Sequence, residues 1–144
     1  MQPDSTRLRA TLRCLVLALP AALSAAGAGA AEDYDAQTKA LLIDAVEAAF
    51  EVDLYNSRCR SDQSGRHTEN LNKELASRYR ITVLDVQDDL FPEGYYRDAQ
   101  ARLSEDFLAR LRDLGGCDGA KAAGLRNELG KRYDEAMRKI AEQP

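Results

Sequence analysis

From residue 34 onward, apolar residues return every three or four positions almost to the end of the chain. That spacing places them on one face of an α-helix. The first run spans about 34–58, where Tyr34, Leu41, Leu42, Ala45, Ala49, Val52 and Tyr55 share a stripe. Ser61-Asp62-Gln63-Ser64-Gly65 interrupts it with a polar, loop-like stretch, and Thr68 is placed to cap the next helix. The second run spans about 68–91 through Leu71, Leu75, Tyr79, Thr82, Val83, Val86 and Leu90. The β-branched cluster Ile81-Thr82-Val83 suits a strand, but its flanks keep the helical period and favour one continuous helix.

Pro92 begins a third run, since proline disfavours helix at the residue before it and fits a first helical turn. This run spans 92–114 through Tyr96, Ala99, Leu103, Phe107, Leu111 and Leu114. Gly115-Gly116 ends it, as glycines end helices. Asp118 is placed to cap a fourth run reaching about Glu142, with Leu125, Leu129, Tyr133, Met137 and Ile140 on its stripe. Gly119, Gly124 and Gly130 lie inside it, so it is either the least stable helix or a close packing partner. Four helices of similar length with short connections predict an all-α fold, an antiparallel up-down-up-down four-helix bundle.

The first 30 residues follow another logic. Arg7, Arg9 and Arg13 precede an apolar run from Leu15 to Leu23, followed by small residues through Ala31. This is the order of a secretory signal peptide, and Ala28-Gly29-Ala30 fits a cleavage site with the cut before Ala31. The apolar stretch is about 18 residues and ends in Ala and Gly, short of the roughly 20 that a stable span needs. The domains expected are therefore a signal peptide at 1–30 and a helical domain at 31–144, exported to the periplasm or the medium. No second apolar run follows, so the mature chain has no membrane span.

That boundary changes the cysteine count. Of three cysteines, Cys14 leaves with the leader, and Cys59 and Cys117 remain in an oxidising compartment. A disulfide between them is predicted, contributing roughly 4 kcal/mol at most by loop-closure arithmetic. Cys59 lies just past the first helix and Cys117 just before the fourth. In an up-down-up-down bundle those two connections share one end, so the bridge and the helix pattern agree.

Charge follows the same boundary. The leader holds three arginines and one aspartate of the chain's 20 basic and 24 acidic residues, leaving 17 and 23 in the mature chain, net −6. That opposes nucleic-acid binding, which needs a basic face. Candidate chemistry is sparse. His67 is the only histidine, so nucleophile–base pairs and Glu-x-x-His metal sites have no residues to work with. His67 and Met137 fall at distant points of antiparallel helices, against a shared haem. Asp85, Asp88, Asp89 and Glu93 lack the spacing of a calcium loop. No catalytic residue, metal ligand or cofactor is expected. Charges at helical spacing are mixed, Glu47–Glu51 against Arg102–Asp106, and read as solvated faces.

Two surfaces remain as candidate binding sites. Arg58, Arg60, Arg66, His67 and Lys121 gather at the disulfide end of an otherwise acidic protein, a local field suited to an acidic partner. At the other end, Phe91, Tyr95 and Tyr96 sit in a tight turn among acids, and aromatics make good protein-binding anchors. The expectation is a non-catalytic interaction protein: an inhibitor, an immunity factor or an accessory subunit with a protein partner. The alternatives are an envelope acid-stress chaperone, or a small helical enzyme on an anionic metabolite with Arg78 or Arg110 turned inward.

Overall fold

The computed structural model describes Ala31 and residues 33–142, so the leader expected at 1–30 lies outside the described residues. Every regular element among them is helical: α1 (Ala36–Cys59), α2 (Arg66–Arg78), α3 (Val83–Asp89), α4 (Tyr96–Asp113), α5 (Gly116–Ala122) and α6 (Leu125–Glu142). The all-α expectation holds, but the described residues form six helices where four were expected. The second and fourth runs each break in two.

The break in the second run has a local cause. Arg80 takes a left-handed φ of 57°, which stops α2 after Tyr79. Thr82 then opens α3 with a capping box. Its hydroxyl accepts from the Asp85 N–H at 3.1 Å, and the Asp85 carboxylate accepts from the Thr82 N–H at 2.7 Å. Asn72 of α2 accepts from the Val83 N–H at 2.9 Å, so a further free donor of the new helix is satisfied. Ile81 in the link is buried, which explains why the apolar period runs through a break in the backbone.

The other boundaries shift for similar reasons. Pro92 does not start a helix: residues 91–95 form a turn in which the Gly94 N–H donates to the Phe91 carbonyl at 3.1 Å, with Gly94 at φ 62°. Helix α4 starts at Tyr96, whose N–H donates to the Asp88 carboxylate of α3. Thr68 lies in the first turn of α2, not at its cap, which is Gly65 at φ 59°. Asp118 lies in the first turn of α5, behind a Gly115 cap. Gly124 at φ 73° separates α5 from α6.

Helix α1 is the hub and packs on α2, α3, α4 and α6. Its small buried residues Ala45, Ala48 and Ala49 let neighbouring backbones approach. Leu42, Leu71, Leu75, Phe107, Leu125, Leu129 and Ile140 are fully enclosed, and each such side chain contributes about 1.5–3 kcal/mol by burial. Cys59 and Cys117 are bonded, their Cα atoms 5.4 Å apart, joining the end of α1 to α5. No described helix is long and apolar enough to cross a membrane.

Two glycines in the expected fourth helix have opposite roles. A Cβ on Gly119 would stand 1.6 Å from the Leu114 carbonyl oxygen, whereas one on Gly130 meets nothing within 4 Å. Gly119→Ala is therefore expected to lower unfolding free energy by roughly 3 kcal/mol or more, because backbone must move. Gly130→Ala is expected to raise it by about 0.5–1 kcal/mol. Urea titrations of the two variants followed by circular dichroism check both signs.

Candidate functional site

Two concave regions flank α1. The first is a groove of about 590 Å³ between α1, the 60–65 connection, α2, α3 and Gln100 of α4. Its floor is apolar: Phe50 and Leu54 of α1, with Val83 and Leu84 of α3. Leu84 is 44% exposed, one of two large apolar side chains left in solvent among the described residues. The charged residues that line the groove are Asp53, Asp62 and Glu69, and no Lys, Arg or His lines it.

Asp53 is already engaged. Helix α2 begins at a glycine that offers no side-chain cap, and Asp53 reaches across from α1 instead. Its carboxylate accepts from the His67 and Thr68 N–H groups at 3.2 and 2.8 Å and contacts His67 Nδ1 at 2.8 Å. The rim charge therefore comes from Asp62 and, shared with Lys73 at 2.7 Å, from Glu69. Hydrogen bonds from Ser64 hold the Asp62 carboxyl below its ordinary value, with Arg66 and Arg60 adding to the shift. The Lys73 ammonium does the same for Glu69.

The second region lies at the disulfide end. Two clefts of about 400 and 530 Å³ share Arg60, Arg126 and Asn127, and so adjoin. Lys121 of α5 lines one lobe; Lys131 of α6, His67 and Asp134 line the other. Arg60 also donates to Oδ1 of the buried Asn56 at 3.3 Å. Across the cleft the Tyr133 ring meets His67 edge-on at 4.8 Å, and its hydroxyl donates to the His67 carbonyl at 3.3 Å. Burial pushes the Tyr133 phenol up.

Of the basic residues singled out in the sequence, Arg60, His67 and Lys121 come together here, while Arg58 and Arg66 line neither lobe. Arg126, Lys131 and Asn56 were missed. Arg126 and Lys131 become neighbours of Arg60 only because α6 packs along α1, whereas Asn56 stands four positions before Arg60, on α1 itself. The aromatic turn divides. Phe91 is buried and closes the core, with the Arg102 guanidinium 5.8 Å from its ring centre. Tyr95 is exposed. Tyr96 is half-buried and accepts a hydrogen bond from Arg97 at 2.9 Å. The expected knob of three aromatics is thus reduced to a tyrosine pair.

The acids of that turn are also occupied. Asp85 and Asp88 serve α3 and α4 as described, Asp89 faces the Ala31 N–H at 3.2 Å, and Glu93 pairs with Arg102. Among the described residues no three His, Cys, Asp or Glu side chains are grouped so as to hold a metal ion.

The acids of α1 expected to be a solvated face make tertiary contacts instead. Arg132 of α6 reaches Asp44 at 2.8 Å, Glu47 at 3.1 Å and Glu51 at 2.7 Å. Arg102 lies 3.8 Å from Glu47 and 3.3 Å from Asp106. Arg110 pairs with Glu128 at 2.7 Å, and Arg78 is exposed beside Glu74. These arginines are matched by the protein's own carboxylates.

No family model, curated protein or solved structure matches the chain.

The Arg132 clasp has a testable asymmetry. Burial pushes the Glu51 carboxyl up despite the nearby Arg132. Ionised Glu51 therefore costs stability above that raised pKa, and the cost is relieved as pH falls through it. At pH 7, Glu51→Gln is expected to change stability by less than about 0.5 kcal/mol, or to raise it. Arg132→Met leaves three carboxylates facing one another and is expected to cost roughly 1–3 kcal/mol, tempered by partial exposure. Chemical denaturation at pH 7 distinguishes them; equal losses would contradict this account.

Proposed function

We propose that the chain is an exported, non-catalytic binding protein whose groove takes an apolar, positively charged segment of a partner protein. The observation that carries this reading is an apolar floor whose charged lining residues are all acids. Water leaves Phe50, Leu54, Val83 and Leu84 when an apolar segment docks. A basic segment also gains from Asp62 and Glu69, and an acidic one is repelled. The volume suits a few side chains on one face of a helix or strand.

The basic segment is tested with helical peptides matched in their apolar face and differing only in the sign of the flanking charges. Fluorescence anisotropy is expected to detect the basic peptide and not the acidic one, with binding weakened as salt rises. Leu84→Lys, which changes an exposed side chain and adds a repelling charge, is expected to reduce affinity by about tenfold or more. Indifference to peptide charge, or to Leu84→Lys, would remove the reading.

Export rests on the leader pattern and on the presence of a disulfide in the mature region. Ala31 adds support. It is fully buried, and its N–H faces the Asp89 carboxylate. Cleavage before Ala31 turns that amide into an ammonium, and the neutral hydrogen bond into a charge-assisted one. Mass spectrometry of exported protein is expected to find Ala31, or a residue within two of it, at the N-terminus. Asp89→Asn is then expected to cost about 1 kcal/mol more in the chain starting at Ala31 than in the chain retaining its leader. An unprocessed export product, or equal costs, would count against the reading.

A further inference from the structure

The basic cleft at the disulfide end is separate from the groove, sharing no lining residue with it. Four cations line its two lobes: Arg60 from the end of α1, Lys121 from α5, and Arg126 and Lys131 from α6. Each belongs to a chain with an excess of acids, and among the described residues seven other Lys or Arg side chains, together with His67, pair with carboxylates. They stand within 4.0 Å of a carboxylate or, in the cases of Arg102 and Arg132, of three. No such pair forms for Arg60, Lys121, Arg126 or Lys131. Asp134 is the one carboxylate lining the cleft, and Asp62 acts on Arg60 only at longer range.

Lys39, Arg58, Arg66, Arg80, Arg97 and Arg112 also form no ion pair among the described residues, but none of them lines the cleft. Like charges gathered in one cleft without counter-charges repel one another. A ligand with negative charge removes that repulsion. The shape narrows the ligand further. Arg60 and Arg126 stand where the lobes meet, with Lys121 in one lobe and Lys131 in the other. One anionic group at the junction would leave at least one lysine unmatched, whereas two or more groups on one molecule reach all four cations.

The polar lining supports orientation as well as charge. Asn56 is 6% exposed, holds Arg60 through its Oδ1, and lines the same lobe as His67. His67 Nδ1 is taken by Asp53, which leaves Nε2 as the ring nitrogen available to a ligand. The volumes of about 400 and 530 Å³ fall in the range of small-molecule sites.

We infer that this cleft binds a small soluble compound carrying two or more anionic oxygen groups, such as phosphates or carboxylates joined by a short spacer. The three helices that bear the cations are joined by the sulfur bridge between α1 and α5 and by α6 packing on α1, so the charges are presented from a fixed frame.

The test is titration calorimetry on the intact mature protein with inorganic phosphate, tripolyphosphate and citrate, each at low and moderate salt. Tripolyphosphate or citrate is expected to bind at least about tenfold more tightly than inorganic phosphate, with affinity falling as salt rises. Whichever of the two binds more tightly identifies the phosphate or the carboxylate source of the charge. The double variant Arg126→Gln, Lys131→Gln replaces exposed side chains. It is expected to lose about tenfold or more in affinity, with an unchanged circular dichroism spectrum. Arg138→Gln removes a charge from the same helix outside the cleft, paired to Glu142 at 2.8 Å, and is expected to bind as the parent does. The inference is overturned if none of the three anions binds, if inorganic phosphate binds as tightly as the others, or if Arg138→Gln weakens binding as much as the double variant. Binding only to vesicles containing phosphatidylglycerol would overturn it too, because a surface and not a small compound would then be the ligand.

Discussion

The burial of α1 on most of its circumference is the constraint from which the rest follows. Leu41, Leu42 and Ile43 are consecutive, and all three are at least half buried, a pattern of a helix with apolar contacts in several directions. Alanine at 45, 48 and 49 keeps that helix thin. Four other helices can therefore reach it, and its few polar positions become contacts between elements. Asp44, Glu47 and Glu51 hold α6 through Arg132. Asp53 caps α2. Asn56 and Arg60 open the cleft that α6 closes.

The groove and the cleft are products of the same arrangement. Helix α3 is short, and its offset from α2 leaves Leu84 in solvent over an apolar floor. Had the second run continued as one helix, no kink at Arg80 would separate α2 from α3. On the opposite side, α6 supplies Arg132 to the acids of α1 and keeps Arg126 and Lys131 near its N-terminal end away from them. The charge is thus sorted along one helix: matched in its middle, unmatched where the two lobes meet.

Much of the fold was legible in the apolar period. The three-and-four spacing found the helical matter of all six elements, and Cys59 and Cys117 were paired correctly. The breaks were less visible, since Ile81 is buried in the link and continues the apolar rhythm through it. The decisive signal was Thr82 followed by Asp85, a capping box hidden in a β-branched cluster. Asp118 and Thr68 misled because each has the chemistry of a cap while a neighbouring glycine, at a positive φ, holds the position. Of the sites, Arg60, His67 and Lys121 were read from proximity to the cysteines. Arg126 and Lys131 were not, because more than 60 positions separate them from Arg60 in the chain and only helix packing unites them. Phe91 was a candidate anchor because aromatics hold partners well, with closure of the core as the other reading of the same turn; the structure takes the second, since Phe91 is buried.

The sulfur bridge divides the chain into unequal topological parts. It closes a covalent ring from Cys59 to Cys117, a span of 58 positions, within which α2, α3 and α4 are held. Helix α6 lies outside that ring and is tethered by one strand of backbone through Gly124. A protease that cuts anywhere between the two cysteines leaves its products attached, so non-reducing electrophoresis sees one species. A cut at Gly124 leaves α6 held by packing and ion pairs alone, so that denaturing non-reducing electrophoresis separates it, with Arg132 and half the basic cleft. The molecule is therefore nick-tolerant through its middle and vulnerable at a single hinge.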